Sequence, residues 1–406
     1  MNILILTPYL PYPLNSGGAQ GVFNMIENLR RKHSYTMVIS QGSGYSRENV
    51  DTLRKLWPEV DIIYYPLWQQ MLYPPFVYER SRRVLQKKLT PDSRRLAVEM
   101  AVRPYGEWFS SHHVAFVKKI IKEKKIDLVQ VEFYECLPWS NYLPFDVKKI
   151  FIHHELGFVR KARLLKGIML TEKEKLQLES SKQKEFADLE RYDAVVTVTS
   201  TDKTILEHEG LKTPIYVSTS AINTPSFTYS VNPGQLTFVG GYGHLPNKEG
   251  IDWFIAQVSP LLRNEHLSLS LIGKSWPESY TYSSGVAINL RGFVEQLSDV
   301  ALGTIMVVPI LSGSGMRMKI LEAAAMSLPI VTTTVGVEGL DFTEGESCLV
   351  ADSPEDFARA IKRLCQDMEL RRKLGENANN VFQEKYHPAV LADVRDQIYD
   401  HVMNDK

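Results

Sequence analysis

Short apolar runs alternate with helix-length segments along the chain. In the first half the runs are NILILT, YTMVIS, DIIYY, DLVQVEF, KIFIHH and DAVVTVTS; in the second they are LTFVGG, LSLSLIG, VAINLRG, TIMVVPI and PIVTTT. β-rich runs separated by helical stretches are the mark of parallel strands covered on both faces. The pattern predicts an α/β protein of two Rossmann-like doubly wound domains in tandem. Helical periodicity stops and Pro, Ser and Thr accumulate in GLKTPIYVSTSAINTPSF, residues 210 to 227, which puts the seam there. The domains are therefore predicted over residues 1–212 and 213–387, with a last amphipathic helix over 388–406 packing back on the first. Ser353 as N-cap, Pro354 behind it and Asp356 in the first turn mark another helix start. Ligands of such sheets bind at the carboxyl ends of the strands, so two facing domains imply a deep cleft between them.

Composition narrows the class of partner. The 406 residues suit two cores, 44% hydrophobic and 23% charged residues are ordinary for a soluble chain, and 47 basic residues balance 47 acidic ones. No global field favours nucleic acid. Cys136, Cys348 and Cys365 are too few and too scattered for a disulfide framework or a zinc site, which argues for a reducing compartment and a cytoplasmic protein. The opening MNILILTPYLPYP reads as a first buried strand and not a signal peptide. No stretch reaches the roughly 18 to 20 apolar residues of a spanning helix, so any membrane contact is expected to be peripheral.

The stretch PILSGSGMRMKILEAAAMSLPIV, residues 309 to 331, carries the most chemistry. It reads as a strand end, a glycine-rich turn and a helix, and such a turn directs free backbone N–H groups and the positive end of the dipole at an anion. Gly315, Lys319 and Glu322 fall at i, i+4 and i+7, one helical face, with Glu322 roughly 10 Å from the N-terminus, the span from a diphosphate to the ribose hydroxyls of a nucleotide. The alternative is a capped surface helix with a Lys319–Glu322 pair, and the spacing alone leaves both open.

GSGMRMKILEAAAMSLPIVTTTVGVEGL closely resembles the nucleotide-sugar motif of family 4 of the glycosyltransferases, the retaining group with the two-domain GT-B fold. Many members carry Glu-x7-Glu; this chain has Ser314 at the first position and Glu322 at the second, the Ser-Gly-x-Arg-x-Lys variant. The resemblance continues through TPYLPYPLNSGGAQGVFNMIENLRRKHSYTMVIS, RYDAVVTVTSTDKTIL, FVGGYGHLPNKEGIDWF and INLRGFVEQLSD. It implies donor-binding roles for Gly17, Gly18, Gly240, Gly241, Gly292, Phe293, Ser314, Gly315, Met316 and Glu322. Relatives place an Arg and a Lys where this chain has Gly241 and Glu249, so Arg317 and Lys319 are the expected substitutes on the diphosphate, with Lys248 a further phosphate candidate. His154 and Glu155 match the family's His followed by an acidic residue, which implies that His154 meets a sugar or acceptor hydroxyl and that Glu155 orients it. His153 alternates to the other face, and His112 and His113 have no comparable support.

Between Met71 and Met100 seven basic residues, Arg82, Arg83, Lys87 and Lys88 among them, face three acidic ones and follow IIYYPLWQQMLYPPF. This suits a lipid-linked acceptor or an anionic membrane surface as well as it suits a solvated helical face. The expected activity is transfer of a sugar from a nucleoside diphosphate donor to a hydroxyl of a glycan or lipid-linked acceptor, in cell-surface polysaccharide or glycolipid assembly, with no metal, no cofactor and no nucleic acid. Rival readings are a sugar-nucleotide epimerase or phosphorylase on the same fold, and a two-domain solute-binding protein.

Overall fold

A computed structural model of the chain describes residues 1–14, 16–39, 46–65, 98, 101, 109–165, 167–220, 222, 232, 234–282, 285–313 and 316–405. The chain divides into two compact units, Met1–Thr219 with Ala392–Lys406, and Ser220–Leu391.

The first unit is built on a seven-stranded sheet, with β1 (Asn2–Thr7), β2 (Ser34–Ile39), β3 (Asp61–Tyr64), β4 (Leu128–Glu132), β5 (Lys148–His153), β6 (Ala194–Thr197) and β7 (Ile215–Val217) in the order β3-β2-β1-β4-β5-β6-β7. All neighbours are parallel. Every residue of β1 after Asn2 is buried, as expected of a central strand with helices on both faces. Helix α1 (Gly17–Leu29) follows β1; the Ser16 hydroxyl caps it by accepting from the Ala19 amide at 3.2 Å, and it buries Val22, Phe23, Ile26 and Leu29. The chain reverses its direction of growth between β1 and β4, which makes that pair the switch point of the sheet.

The second unit repeats the logic. Strands β8 (Gln235–Val239), β9 (Ser268–Ile272), β10 (Ala287–Gly292), β11 (Ile305–Val308), β12 (Ile330–Thr332) and β13 (Leu349–Val350) form a parallel sheet in the order β10-β9-β8-β11-β12-β13. Its switch point lies between β8 and β11. The helix at Pro354–Gln366 starts as the sequence predicts, with Ser353 accepting from the Asp356 amide at 3.1 Å.

The last helix, Pro388–Asn404, supplies most of the first unit's second chain segment. There Asp396 holds His33 at 2.7 Å, and Tyr399 is fully buried with its hydroxyl 2.6 Å from Gln130 Oε1. Among the described residues no helix is long and apolar enough to cross a membrane.

Candidate functional site

At the carboxyl end of the second sheet, two segments meet at the switch point. One leaves β8 through Gly240 and Gly241 into the helix Leu245–Trp253; the other leaves β11 through residues 309–317 into the helix Met318–Ala325. Lys319 joins them. Its ammonium donates to Asn247 Oδ1 at 2.7 Å and sits 4.4 Å from the centroid of the Phe238 ring, while Asn247 Nδ2 donates to the Gly241 carbonyl at 3.0 Å. Burial and the neighbouring Arg317 cation push the Lys319 amine down to about 7, with Glu322 pulling weakly the other way.

Arg317 occupies the N-cap position of its helix, where no side-chain oxygen caps the first amides. Its guanidinium, only 8% exposed, donates to the Gly313 carbonyl at 3.1 Å and lies 3.9 Å from Glu338. Two basic side chains thus share one helix start, a combination suited to receive an anion. Glu322 follows one turn on, half-buried.

The exits of β8, β9 and β10 form an adjoining shelf. The backbones there are very close: Gly273, at φ +146°, leaves so little room that a Cβ would lie 2.4 Å from the Gly240 carbonyl oxygen. Gly240 in turn, at φ +150°, would bring a Cβ to 2.4 Å from the Asn247 amide. The carbonyl of Gly292, which sits at φ +65°, accepts from the Gly273 amide at 2.7 Å, and the next residue, Phe293, is 42% exposed with Lys274 5.1 Å from its ring centroid. Met316 packs half-buried against the core below.

The first unit places its candidates at its own switch point. Gly18, in the first turn of α1, lies against Phe133 and Tyr9, whose atoms stand 2.8 Å from where a Cβ would be. Phe133 follows β4 at φ +67°, a conformation rare for a bulky residue, and its ring stacks on His154 at 4.0 Å and 11°. His154 Nε2 lies 2.6 Å from the carboxylate of Glu132.

Several sequence expectations change here. The helix begins at Met318, so Glu322 lies about 6 Å along the axis from the helix start, not 10 Å. Lys319 is turned to Asn247. Lys248, half-exposed, is paired with Asp252 on its own helix. Glu249 accepts from Ser312 and so ties the helix to the loop. The carboxylate that His154 meets is Glu132, at 2.6 Å, while Glu155 accepts from Arg160 at 3.2 Å. His153 is buried against Glu185. Gly17 opens α1, while Gly18 serves ring packing and not only open backbone. Ser314, Gly315, Arg82, Arg83, Lys87 and Lys88 lie outside the described residues. Sequence reasoning missed Asn247 and Glu132; the visible signal for the latter was two polar residues, Gln130 and Glu132, on alternate positions of an otherwise apolar strand.

Two parallel-sheet α/β units of this kind are the architecture of the GT-B fold, and solved structures agree. Sucrose-phosphate synthase from Thermosynechococcus elongatus superposes with a TM-score of 0.69 at 17% identity over 99% of both chains. The crystal structure of TarM gives 0.70 at 11% identity over 100% of this chain and 99% of that one. Anabaena Alr3699/HepE in complex with UDP-glucose gives 0.64 at 12% identity over 98% and 100%. The particular family enters through the second unit: residues 233–367 match the model of the family Glycosyl transferases group 1, so this unit carries a glycosyltransferase domain. A Klebsiella pneumoniae protein described as an uncharacterized 44.6 kDa protein in the cps region is 26% identical over 164 residues, 37% of this chain and 42% of that protein.

Proposed function

We propose that the protein is a retaining, metal-independent glycosyltransferase that moves a sugar from a nucleoside diphosphate to a hydroxyl acceptor during cell-surface polysaccharide or glycolipid assembly. The observation that carries this reading is the Arg317–Lys319–Asn247 arrangement at the β8–β11 switch point. In the reaction the bond from the anomeric carbon to the diphosphate oxygen breaks and a bond to the acceptor oxygen forms on the same face. The acceptor's proton passes to the departing phosphate oxygen. The diphosphate gains charge as the sugar leaves, and two cations already fixed at a helix start stabilise that charge without reorganising. They supply what a divalent ion would otherwise supply, and neither a metal nor a cofactor is assigned a step. His154 is given a hydroxyl of the sugar or acceptor.

The test is to offer the protein nucleotide sugars and hydroxyl acceptors with chelator present, and to read the anomeric configuration of the product by NMR. Uridine diphosphate sugars come first, because HepE is described with UDP-glucose and TarM with UDP. An inverted product, or stabilisation by no nucleotide in a thermal shift, rejects the reading.

Glu322 is assigned to the ribose hydroxyls on the family resemblance of its motif, not on the span from the helix start. Glu322→Ala is expected to weaken donor binding by about 1.5–3 kcal/mol, the range for hydrogen bonds to a charged group. Calorimetry on the folded variant checks this, and unchanged affinity removes Glu322 from the site.

Peripheral membrane contact is proposed for the basic stretch. Reversing Arg82, Arg83, Lys87 and Lys88 to Glu is expected to weaken binding to anionic vesicles, since each basic residue near such a surface contributes about 1 kcal/mol. Co-sedimentation measures it, and a wild-type protein that ignores the vesicles leaves a solvated face.

A further inference from the structure

Behind His154 runs a chain of buried polar groups that ends on the last helix. Glu132, 1% exposed, accepts from His154 Nε2 with Oε2 and from the Gln130 amide with Oε1. Gln130, fully buried, is held at its other end by Tyr399 at 2.6 Å and by Arg395 at 3.4 Å. Arg395 also donates to Ser218 at 3.1 Å. Lone polar residues inside a parallel strand are costly, so a connected set of this kind asks for a reason beyond packing.

The direction of the hydrogen bonds follows from donor inventory. A guanidinium can only donate, so the end of the Gln130 amide that faces Arg395 and Tyr399 is its oxygen. Its NH2 is thereby aimed at Glu132. An ionised Glu132 can only accept, so the nitrogen of His154 that faces it carries the hydrogen. In the neutral imidazole Nδ1 is then the atom with the lone pair. Phe133, stacked flat on the imidazole and itself packed on Tyr9 at 4.6 Å, fixes the ring plane, so the direction of that lone pair is fixed as well. Among the described residues nothing hydrogen-bonds Nδ1.

We infer that Glu132 is a positioning residue: held by Gln130 and, through it, by Arg395 and Tyr399 of the last helix, it locks His154 as the Nε2–H tautomer and leaves Nδ1 to accept a hydrogen bond from a substrate hydroxyl. The use of that hydroxyl rests on the glycosyltransferase reading; the tautomer does not. The last helix thereby takes part in the chemistry of the first unit through its buried polar side chains and not only through its apolar face.

The test separates the two. In full-length protein with 15N-labelled histidine, long-range proton–nitrogen correlation reports the His154 tautomer, assigned by its loss in His154→Gln. Wild type is expected to show Nε2–H. Glu132→Gln keeps the shape but changes the logic: its carbonyl takes the Gln130 amide, its NH2 faces His154, and the ring is expected to switch to Nδ1–H. Turnover is then expected to fall at least about 100-fold in kcat with KM nearly unchanged, the pattern of a catalytic histidine held in the wrong tautomer. Tyr399→Phe, which removes one of the two donors on Gln130, is expected to give a smaller loss in kcat and a mixture of tautomers. An Nδ1–H wild type overturns the proposal, as does a Glu132→Gln variant that keeps its tautomer. A switched tautomer with full turnover overturns the positioning role, whereas a correct wild-type tautomer in a protein that transfers no sugar overturns the glycosyltransferase reading and upholds the hydrogen-bond chain.

Discussion

Lys319→Met is expected to lower turnover by about 2–4 kcal/mol of activation free energy, the scale of a lost oxyanion donor, while weakening donor binding by less. The reasoning starts from the environment. The ammonium donates to the neutral Asn247, and burial first and the Arg317 cation second push its value down to about 7. A diphosphate reverses that balance, and the sugar's departure adds further charge, so the lysine matters most in the transition state. Donor binding above pH 7 should therefore take up a proton, and affinity should fall by up to about tenfold per pH unit there. Calorimetry at pH 8 in buffers of different ionisation heat reads the uptake, and Lys319→Met should abolish it. Stability gives an independent check. The folded-state value lies below the ordinary lysine value of 10.5, so between pH 7 and about pH 10 the unfolded chain keeps a proton that the folded chain has shed, and stability rises with pH through that window. The methionine variant should be flat across it and more stable than wild type at pH 7 and below. Arg317→Ala, alone and with Lys319→Met, apportions the effect; a double variant with near wild-type turnover places the compensating cation elsewhere.

Gly273→Ala is expected to cost about 2–5 kcal/mol of stability and to abolish donor binding. A side chain at φ +146° is strained whatever the space, and this one would also meet the Gly240 backbone at 2.4 Å, with no flexible side chain to yield. Either the β9 exit moves or the β8 exit does, and the β8 exit carries the Gly241 carbonyl that holds Asn247 and, through it, Lys319. Denaturant unfolding measures the loss, and donor calorimetry on the remaining folded protein measures the second effect. A variant with wild-type stability would show that the shelf has room to relax. The same substitution at Gly292, where an added Cβ would meet no atom of the described residues within 4 Å, should act through backbone conformation alone and cost less.

The strands were readable because a parallel strand buried on both faces must be apolar throughout, and NILILT and TIMVVPI contain almost nothing else. Arg317, Lys319 and Glu322 stood out because a glycine-rich turn ahead of a helix suits an anion and because the stretch resembles a nucleotide-sugar motif. The helix register was misjudged by three residues, since the turn chemistry around Gly313 delays the first helical residue to Met318. Local spacing determines what can stand near a helix start and which segments must be sheet. Partnership across the fold is a different matter: Asn247 reaches Lys319 over 72 positions, and Tyr399 reaches Gln130 over 269. A hydrogen bond depends on distance and angle at the place where two elements pack, and neither is encoded in the neighbourhood of either residue. For this reason the residue after His154 suggested itself as its orienting acid, while the fold chose Glu132, which the β4–β5 pairing brings beside it on the adjacent strand.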